Sequence, residues 1–142
     1  MTIKKALQKK NNLIKEISEC YEIARTSNSF PEGTAKRFDV ETYLKKASAL
    51  TSELVELKTK IHEANLPVYS DIFLLSELKG RVKRLRGIST DEGPTPELYG
   101  SHTVKEVQID AAQLRNMVKN LENEIETLQD KLEYHNVTTV IE

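Results

Sequence analysis

The chain has 142 residues, a formal net charge of −1 and a single cysteine, Cys20. Charged residues make up 30% of it, and Gly and Pro number only 5 and 4, a composition that is typical of long helices. A nearly neutral chain is not a general polyanion binder, so a phosphate or nucleic-acid site has to be a local patch. A lone thiol fits a reducing compartment, and the segment MTIKKALQKKNN lacks the apolar core of a signal peptide. We therefore expect a cytoplasmic protein.

The first predicted helix covers about residues 3–26 and has apolar residues at heptad spacing. The members of this predicted seam are Ile3, Leu7, Lys10, Ile14, Ile17, Tyr21 and Ala24. Lys10 interrupts the seam; either this polar residue fixes the register or the oligomeric state, or the seam faces solvent there. Cys20 lies one residue off the seam, which favours a small core residue over a nucleophile. The segment NSFPEGTAKRF (28–38) then predicts a loop to an antiparallel helix.

The second predicted helix, over 40–64, has the clearest pattern in the chain. Its apolar residues step by three and four without a break, at Val40, Tyr43, Ala47, Leu50, Leu54, Leu57, Ile61 and Ala64. This is a heptad seam. Asp39 stands where an N-cap is expected, and Asn65 and Pro67 are typical of a helix end.

The third predicted helix covers about 71–87, with Ser70 or Asp71 as its cap. Its apolar stripe is formed by Ile72, Leu75, Leu78, Val82 and Leu85. Gly80 within it weakens the helix by roughly 1 kcal/mol relative to Ala.

The segment after the third helix is rich in Gly and Pro, and it predicts a loop over 89–102. Alternating residues over 103–109 predict a short strand, and the β-branched stretch 137–141 is a candidate partner strand. Between them a last helix is predicted over 111–135, with Asp110 as N-cap. Its seam is Leu114, Val118, Leu121, Ile125, Leu128, Leu132 and His135.

These elements predict one helical domain over 1–142, of a mainly α fold. We expect long antiparallel helical hairpins that form a coiled-coil-like bundle, with a small β-ribbon element. A heptad stripe left exposed on a rod would forfeit on the order of 10 kcal/mol of apolar burial. The sequence therefore predicts a homo-oligomer, and the alternative is a monomeric four-helix bundle built from the same helices.

Several stretches carry a resemblance to a known family. LVELKTKIHEAN is followed by a capped helix, an irregular loop, VKEVQID, a long helix and a terminal HNVTT. This arrangement resembles the septicolysin-like family of small bacterial helical proteins, best from about residue 50 to the end. The family's loop before the strand carries an Arg- and Ser-containing run, whereas ELYGSHTVKEV keeps Ser101 and lacks the arginine. The resemblance implies the fold more than an activity.

The stretch LKGRVKRLRG (78–87) is the strongest candidate for a binding site, because it has five positive charges and no acid. An anion site would draw on this helix, on the loop after it and on the strand. Its predicted residues are Arg81, Lys83, Arg84, Arg86, Tyr99, Ser101, His102 and Lys105. Arginine forks suit phosphate, and an aromatic ring suits a stacked nucleotide. Alternatively, these cations only favour the helix C-terminus or pair with the acidic last helix.

No catalytic motif is present: the sequence lacks Gly-x-Ser-x-Gly, a P-loop and Gly-x-Gly-x-x-Gly. We find no metal-ligand spacing among His62, His102 and His135, no cofactor motif and no apolar run of the ~18 residues that a membrane span needs. The basic footprint is small for a nucleic-acid duplex. The sequence thus predicts a non-catalytic oligomeric binding protein that sequesters or senses a small anionic, nucleotide-like ligand. The alternatives are a purely structural helix–helix scaffold or adaptor and, third, a membrane-active protein.

Overall fold

The computed structural model describes the backbone of residues 1–96 and 102–142 and the side chains of 1–94 and 103–142. In chain order its elements are α1 (Ile3–Ser27), α2 (Val40–Asn65), a 3-10 turn (Leu66–Val68), α3 (Tyr69–Arg86), β1 (Gly93–Pro96), β2 (His102–Lys105) and α4 (Ala111–Thr138). The predicted mainly α fold with a small two-stranded sheet is confirmed. The four predicted helices are all present: α1, α2 and α4 begin where predicted, α3 begins two residues earlier, and the C-terminal ends differ by one to three residues.

The described residues group into two compact units, where the sequence predicts a single domain. The first unit consists of Met1–Pro67 with Tyr134–Glu142, and the second of Val68–Glu133. Each unit is described by itself below.

The core of the first unit lies between α1 and α2, which run antiparallel. Ile3, at the start of α1, shares a buried cluster with Ile61, near the end of α2. Further along, Lys9 Nζ lies 2.7 Å from Glu53 Oε1. The predicted α2 seam is confirmed, because its residues fill this interface while the residues between them face solvent.

The seam of α1 differs from the prediction by one residue at two positions in its second half, whereas the predicted seam residue Leu7 packs against the core. Leu13 and Cys20 are buried, whereas the predicted seam residues Ile14 and Tyr21 are 45% and 52% exposed. The seam that faces α2 is Ile3, Ala6, Leu7, Lys10, Leu13, Ile17, Cys20 and Ala24, with Leu7 and Lys10 half-buried within it. The prediction of Cys20 as a small core residue is confirmed.

Small side chains set the spacing of α1 and α2. Ala6 and Ala24 on α1 and Ala47 on α2 are all buried. Cα atoms of the two helices therefore approach within 8 Å along the pair. In the second unit, α3 and α4 meet through Leu78, Val82 and other larger side chains, which hold helix axes further apart.

The segment after α4 completes the core of the first unit. Ile3 N donates to Thr139 O at 3.0 Å, and Ile141 N donates to Met1 O at 2.8 Å. These bonds hold the Ile141 side chain, which is 8% exposed, in the cluster of Ile3 and Ile61. Two short pieces of extended chain therefore fix the start of α1 to the residues that follow α4.

The predicted strand over 137–141 is wrong. Residues 137 and 138 belong to α4, and beyond them Val140 forms only an isolated bridge with Thr2. The helix hydrogen bond from Thr139 N to His135 O (2.9 Å) continues the α4 pattern past the β-branched residues. Continuation of a helix that is already formed adds one bond per residue, and it prevails here over the local preference for a strand.

In the second unit, α3 and α4 pack antiparallel through the predicted apolar stripes. Leu78 and Val82 of α3 share a buried cluster with Leu121 and Leu128 of α4. The predicted N-cap of α4 is confirmed: Gln113 N donates to Asp110 Oδ1 at 2.8 Å, and Asp110 N donates to Gln113 Oε1 at 2.9 Å. This reciprocal pair is a capping box.

The start of α3 differs from the prediction. Val68 stands at the N-cap and makes no side-chain cap bond, so neither Ser70 nor Asp71 caps the helix. Pro67 lies inside the 3-10 turn that joins α2 to α3, where its fixed φ is tolerated. Asp71 instead accepts Lys131 Nζ of α4 at 2.8 Å.

The β-ribbon also differs from the prediction. The strand predicted over 103–109 is β2, which begins at His102 and ends at Lys105. Its antiparallel partner is β1, within the segment 89–102 that was predicted to be a loop. Proline is compatible with an edge strand, so GPTP can form β1. Gly93 begins β1 with φ +87°, a conformation that favours glycine.

We predict that Ile141→Ala lowers the free energy of unfolding by about 2–5 kcal/mol, because it empties part of a packed core. Urea denaturation at one fixed protein concentration measures the effect. Val140→Ala is the matched control, since this neighbouring side chain is exposed, and it should change the free energy by less than about 0.5 kcal/mol. Equal effects of the two changes would contradict the described position of Ile141.

We also predict that Gly80→Ala raises the free energy of unfolding by about 0.5–1 kcal/mol. Gly80 lies inside α3, and an added Cβ would meet no atom within 4 Å. Alanine therefore gains helix propensity without a clash. Gly33→Ala, at a φ of +79°, should instead destabilise by about 1 kcal/mol. A lower urea midpoint for Gly80→Ala would show that other atoms pack against this face of α3 and that the added methyl group clashes with them.

Candidate anion-binding site

The cations of the basic stretch are divided between two flanks of α3. Successive residues turn by about 100° around a helix, so Arg84 and Arg86 point about 160° apart. Leu78, Val82 and Leu85 occupy the face between Arg81 and Arg86 and pack against α4. Because the apolar seam separates them, these side chains cannot converge on one small ligand.

Arg86 is paired with an acid of the last helix. Its Nη2 donates to Glu122 Oε1 of α4, and both side chains remain exposed. This contact is the one expected if the basic stretch serves to meet the acidic face of α4.

Arg81 and Arg84 lie together on the other flank of α3. They line a shallow groove of about 330 Å³ with Leu74, Glu77, Leu78 and Gly80. Glu77 lies one turn before Arg81, so this groove contains a carboxylate beside its two cations. The carboxylate repels an anion, so this groove favours an anion less than a groove with the same two cations and no acid would.

The other predicted site residues are not gathered around these two. Lys83 is exposed on α3, and Lys105 is exposed on β2, opposite Gly93 in the register. His102 is described only by its backbone at the start of β2. Tyr99 and Ser101 lie outside the described residues, so their part in a site stays a prediction.

A larger groove lies in the second unit, where the end of α3 meets the start of α4. Its volume is about 630 Å³. Its lining residues are Leu85, Arg86, Ile88, Thr90, Ala111, Leu114, Arg115, Val118, Lys119 and Glu122. The two helices meet here through Leu85 and Val118, which belong to the apolar cluster of the unit. The groove therefore combines an apolar floor with three cations and one acid.

Two cations of this groove have no acidic partner among the residues that the structure describes. Arg115 and Lys119 are four residues apart on α4, so they are neighbours on one helix face. Within the described part of the chain, neither makes an ion pair. A like-charge pair at this spacing is unfavourable by about 0.2–0.5 kcal/mol. An anion between them would relieve that repulsion.

Arg115 and Lys119 are not among the site residues predicted from the sequence. The four-residue spacing in RNMVK, five residues after the N-cap Asp110, is the signal that could have indicated them. The prediction followed the cluster 79–86 instead, because that cluster holds more positive charges than the pair on α4.

Histidine at the end of α4 has a structural role in the first unit. His135 Nε2 lies 3.1 Å from Ala64 O, and Thr139 Oγ1 lies 3.1 Å from His135 Nδ1. The ring thus joins the end of α4 to the end of α2. Among the described side chains, no group of three or more His, Cys, Asp or Glu residues is arranged to hold a metal ion.

Comparison with known proteins gives no relative for this chain. No family model, no curated protein and no solved structure matches it. The resemblance to the septicolysin-like family therefore stays a prediction that depends on its quoted residues. In the described part of the chain, none of the helices has the length and apolar character that crossing a bilayer requires.

We predict that the Arg86–Glu122 pair contributes less than about 1 kcal/mol to the free energy of unfolding, because exposed ion pairs are weak. A double-mutant cycle of Arg86→Ala and Glu122→Ala measures the coupling. The coupling energy should be smaller still in about 1 M salt, because the Debye length there is about 3 Å and the two charges are screened. A coupling that is large and insensitive to salt would show that the pair is shielded from water.

Proposed function

We propose that this chain is a non-catalytic, self-associating binding protein of the cytoplasm that sequesters or senses a small anionic ligand. The ligand would occupy the groove between the end of α3 and the start of α4. The observation that supports this most directly is the pair Arg115 and Lys119 beside the apolar floor, which has no acidic partner in the described part of the chain.

The groove favours a ligand with two parts. Arg115 offers a planar fork of donors that suits a phosphate or carboxylate, and Lys119 offers a mobile point charge. The positive end of the α4 macrodipole lies at the same end of the groove. Leu85, Leu114 and Val118 would contact an apolar or aromatic body. The shared chemistry is thus an anionic head on a hydrophobic body.

The dimensions of the groove agree with a small molecule. Its volume of about 630 Å³ lies within the range of about 300–1,000 Å³ that is usual for ligand pockets. A nucleotide and a medium-chain carboxylate both have the required parts. The proposed site keeps Arg86 from the sequence-based set, replaces Arg81 and Arg84 by Arg115 and Lys119, and keeps the prediction of an anionic ligand.

A second candidate function, a helix–helix scaffold, is favoured by apolar side chains that the fold leaves exposed. Ile14, Tyr21 and Leu44 of the first unit are large, apolar and exposed, and Tyr21 and Leu44 line one groove. A scaffold would need these surfaces and no ligand, so the ligand assay below separates the two functions.

We predict that an anion with a hydrophobic body raises the melting temperature of the protein. A ligand at 100 times its dissociation constant adds about 2.7 kcal/mol, which corresponds to a rise of roughly 5–10 °C. The panel consists of adenosine and guanosine phosphates, decanoate and inorganic phosphate, each at one fixed protein concentration. Inorganic phosphate has no hydrophobic part, so it should raise the melting temperature least.

Matched variants locate the site. Arg115→Ala combined with Lys119→Ala should abolish the shift, because both unpartnered cations are lost. Arg81→Ala combined with Arg84→Ala removes the same net charge from the opposite flank of α3 and should leave the shift intact. If no member of the panel raises the melting temperature, or if both double variants lose the shift equally, the proposed groove is not the site.

A further inference from the structure

The groove between the end of α3 and the start of α4 has an aliphatic lining. Its apolar members are Leu85, Ile88, Ala111, Leu114 and Val118. Among the described residues that line it there is no aromatic ring and no side-chain amide, and Thr90 is the one uncharged side chain that can form a hydrogen bond. The lining therefore offers contact area to the body of a ligand but few partners for polar atoms on that body.

The apolar lining extends from a buried floor to an exposed wall. Leu114 is 6% exposed and forms the floor, whereas Ile88 is 48% exposed and forms a wall. Ile88 follows the last turn of α3, and its backbone N donates to Leu85 O at 3.2 Å, which holds it beside the helix end. A ligand that covers Ile88 would remove apolar surface from water, and the gain is proportional to the area covered.

The two cations that lack an acidic partner in the described part of the chain lie at one edge of this lining. Relative to the floor residue Leu114, Val118 is turned by about 40° around α4, Arg115 by about 100° and Lys119 by about 140°. Glu122, the acid of the groove, is already paired with a cation of α3. An anionic head can therefore lie at the edge with Arg115 and Lys119 while the body of the same ligand lies on the floor.

We propose that the ligand of this groove is a medium-chain aliphatic carboxylate, with its chain on the aliphatic lining and its head at Arg115 and Lys119. The inference rests on the proposed function, because it takes the groove as the binding site. It goes further by choosing between the two ligand classes that agree with the size of the groove.

A nucleobase is a poorer body for this groove than an aliphatic chain. The ring nitrogens and exocyclic groups of a base form hydrogen bonds with water, and burial without partners leaves them unsatisfied. Proteins that bind bases commonly stack them on aromatic side chains and form hydrogen bonds with their edges. The described lining has no aromatic ring and only Thr90 for such bonds. A saturated chain has no polar atom to satisfy, so its burial carries no such cost.

The extent of the groove along α4 limits the length of the chain. Its lining residues on α4 extend from Ala111 to Glu122, a distance of roughly 16 Å at about 1.5 Å per residue. A chain that exceeds the lining would extend into water. The affinity should therefore rise with chain length and then level off.

The first experiment measures the dissociation constants of saturated carboxylates from butanoate to dodecanoate by titration calorimetry, each below its critical micelle concentration. Each added CH₂ group should lower the dissociation constant by up to about fourfold, until the chain exceeds the groove. Adenosine and guanosine phosphates should bind more weakly than decanoate. An affinity that does not change with chain length, or a nucleotide that binds more tightly than decanoate, would overturn the proposal.

The second experiment tests the contact with the chain. Ile88→Ser should raise the dissociation constant of decanoate by about threefold to tenfold, because apolar contact area is lost. Val104→Ser is the matched control, since Val104 is an exposed β-branched residue of β2, in the same unit, that does not line the groove. It should leave the dissociation constant unchanged. Both side chains are exposed, so neither change empties a packed core, and equal effects of the two would refute the predicted contact.

The third experiment tests the contact with the head by comparing decanoate with decanol. The unchanged protein should bind decanoate about tenfold more tightly than decanol, because the carboxylate adds charge-assisted hydrogen bonds. The variant that combines Arg115→Ala with Lys119→Ala should bind the two ligands equally. If this variant still prefers decanoate as strongly as the unchanged protein does, the head does not lie at these cations.

The outcomes separate this inference from the proposed function. If nucleotides raise the melting temperature and no carboxylate binds, the anion groove stands and the aliphatic ligand is refuted. If neither class binds, both are refuted. A carboxylate that binds only above its critical micelle concentration would show association with micelles, and it would refute the aliphatic ligand alone.

Discussion

The fold depends on one constraint, namely that a heptad stripe must be covered by a stripe of matching length. The first unit meets it with α1 on α2, and the second with α3 on α4. Within its unit, each helix buries the strip that faces its partner, because a heptad stripe is narrow. The consequence is a core made of many half-buried residues with few fully buried ones, and stability that depends on the regularity of the seams.

The core of the first unit needs a contribution from outside the two paired helices. Ile141, after the end of α4, fills the cluster at the start of α1, and the backbone bonds from Ile3 N to Thr139 O and from Ile141 N to Met1 O hold it there. This contact joins residues at nearly opposite ends of the sequence. A short apolar segment can therefore decide whether the first turn of α1 is anchored or free to fray.

The sequence indicates a seam reliably where a helix has only one apolar stripe. For α2 and α4 the predicted seams are the buried ones, because most of the residues that border them are polar and exposed apolar neighbours such as Leu44 and Val55 do not form a second regular stripe. For α1 two apolar stripes overlap, and local spacing cannot tell Leu13 from Ile14. The choice is made by α2, whose small residue Ala47 lets the helices approach closely. The strand predicted over 137–141 is wrong for a related reason. The β-branched residues there favour a strand locally, but α4 is already formed and continues into them.

The candidate site shows how the same constraint acts on charge. The sequence shows how many cations α3 has, but the apolar seam of α3 determines where they point. Because Leu78, Val82 and Leu85 must face α4, the arginines of α3 are divided between its two flanks. Cations from two helices can line one groove only where the end of one helix lies beside a flank of the other. This occurs where Arg86 of α3 meets Arg115 and Lys119 of α4. A groove of this kind joins two helices through residues that are distant in sequence, so a dense local run such as 78–87 does not show which cations will line it.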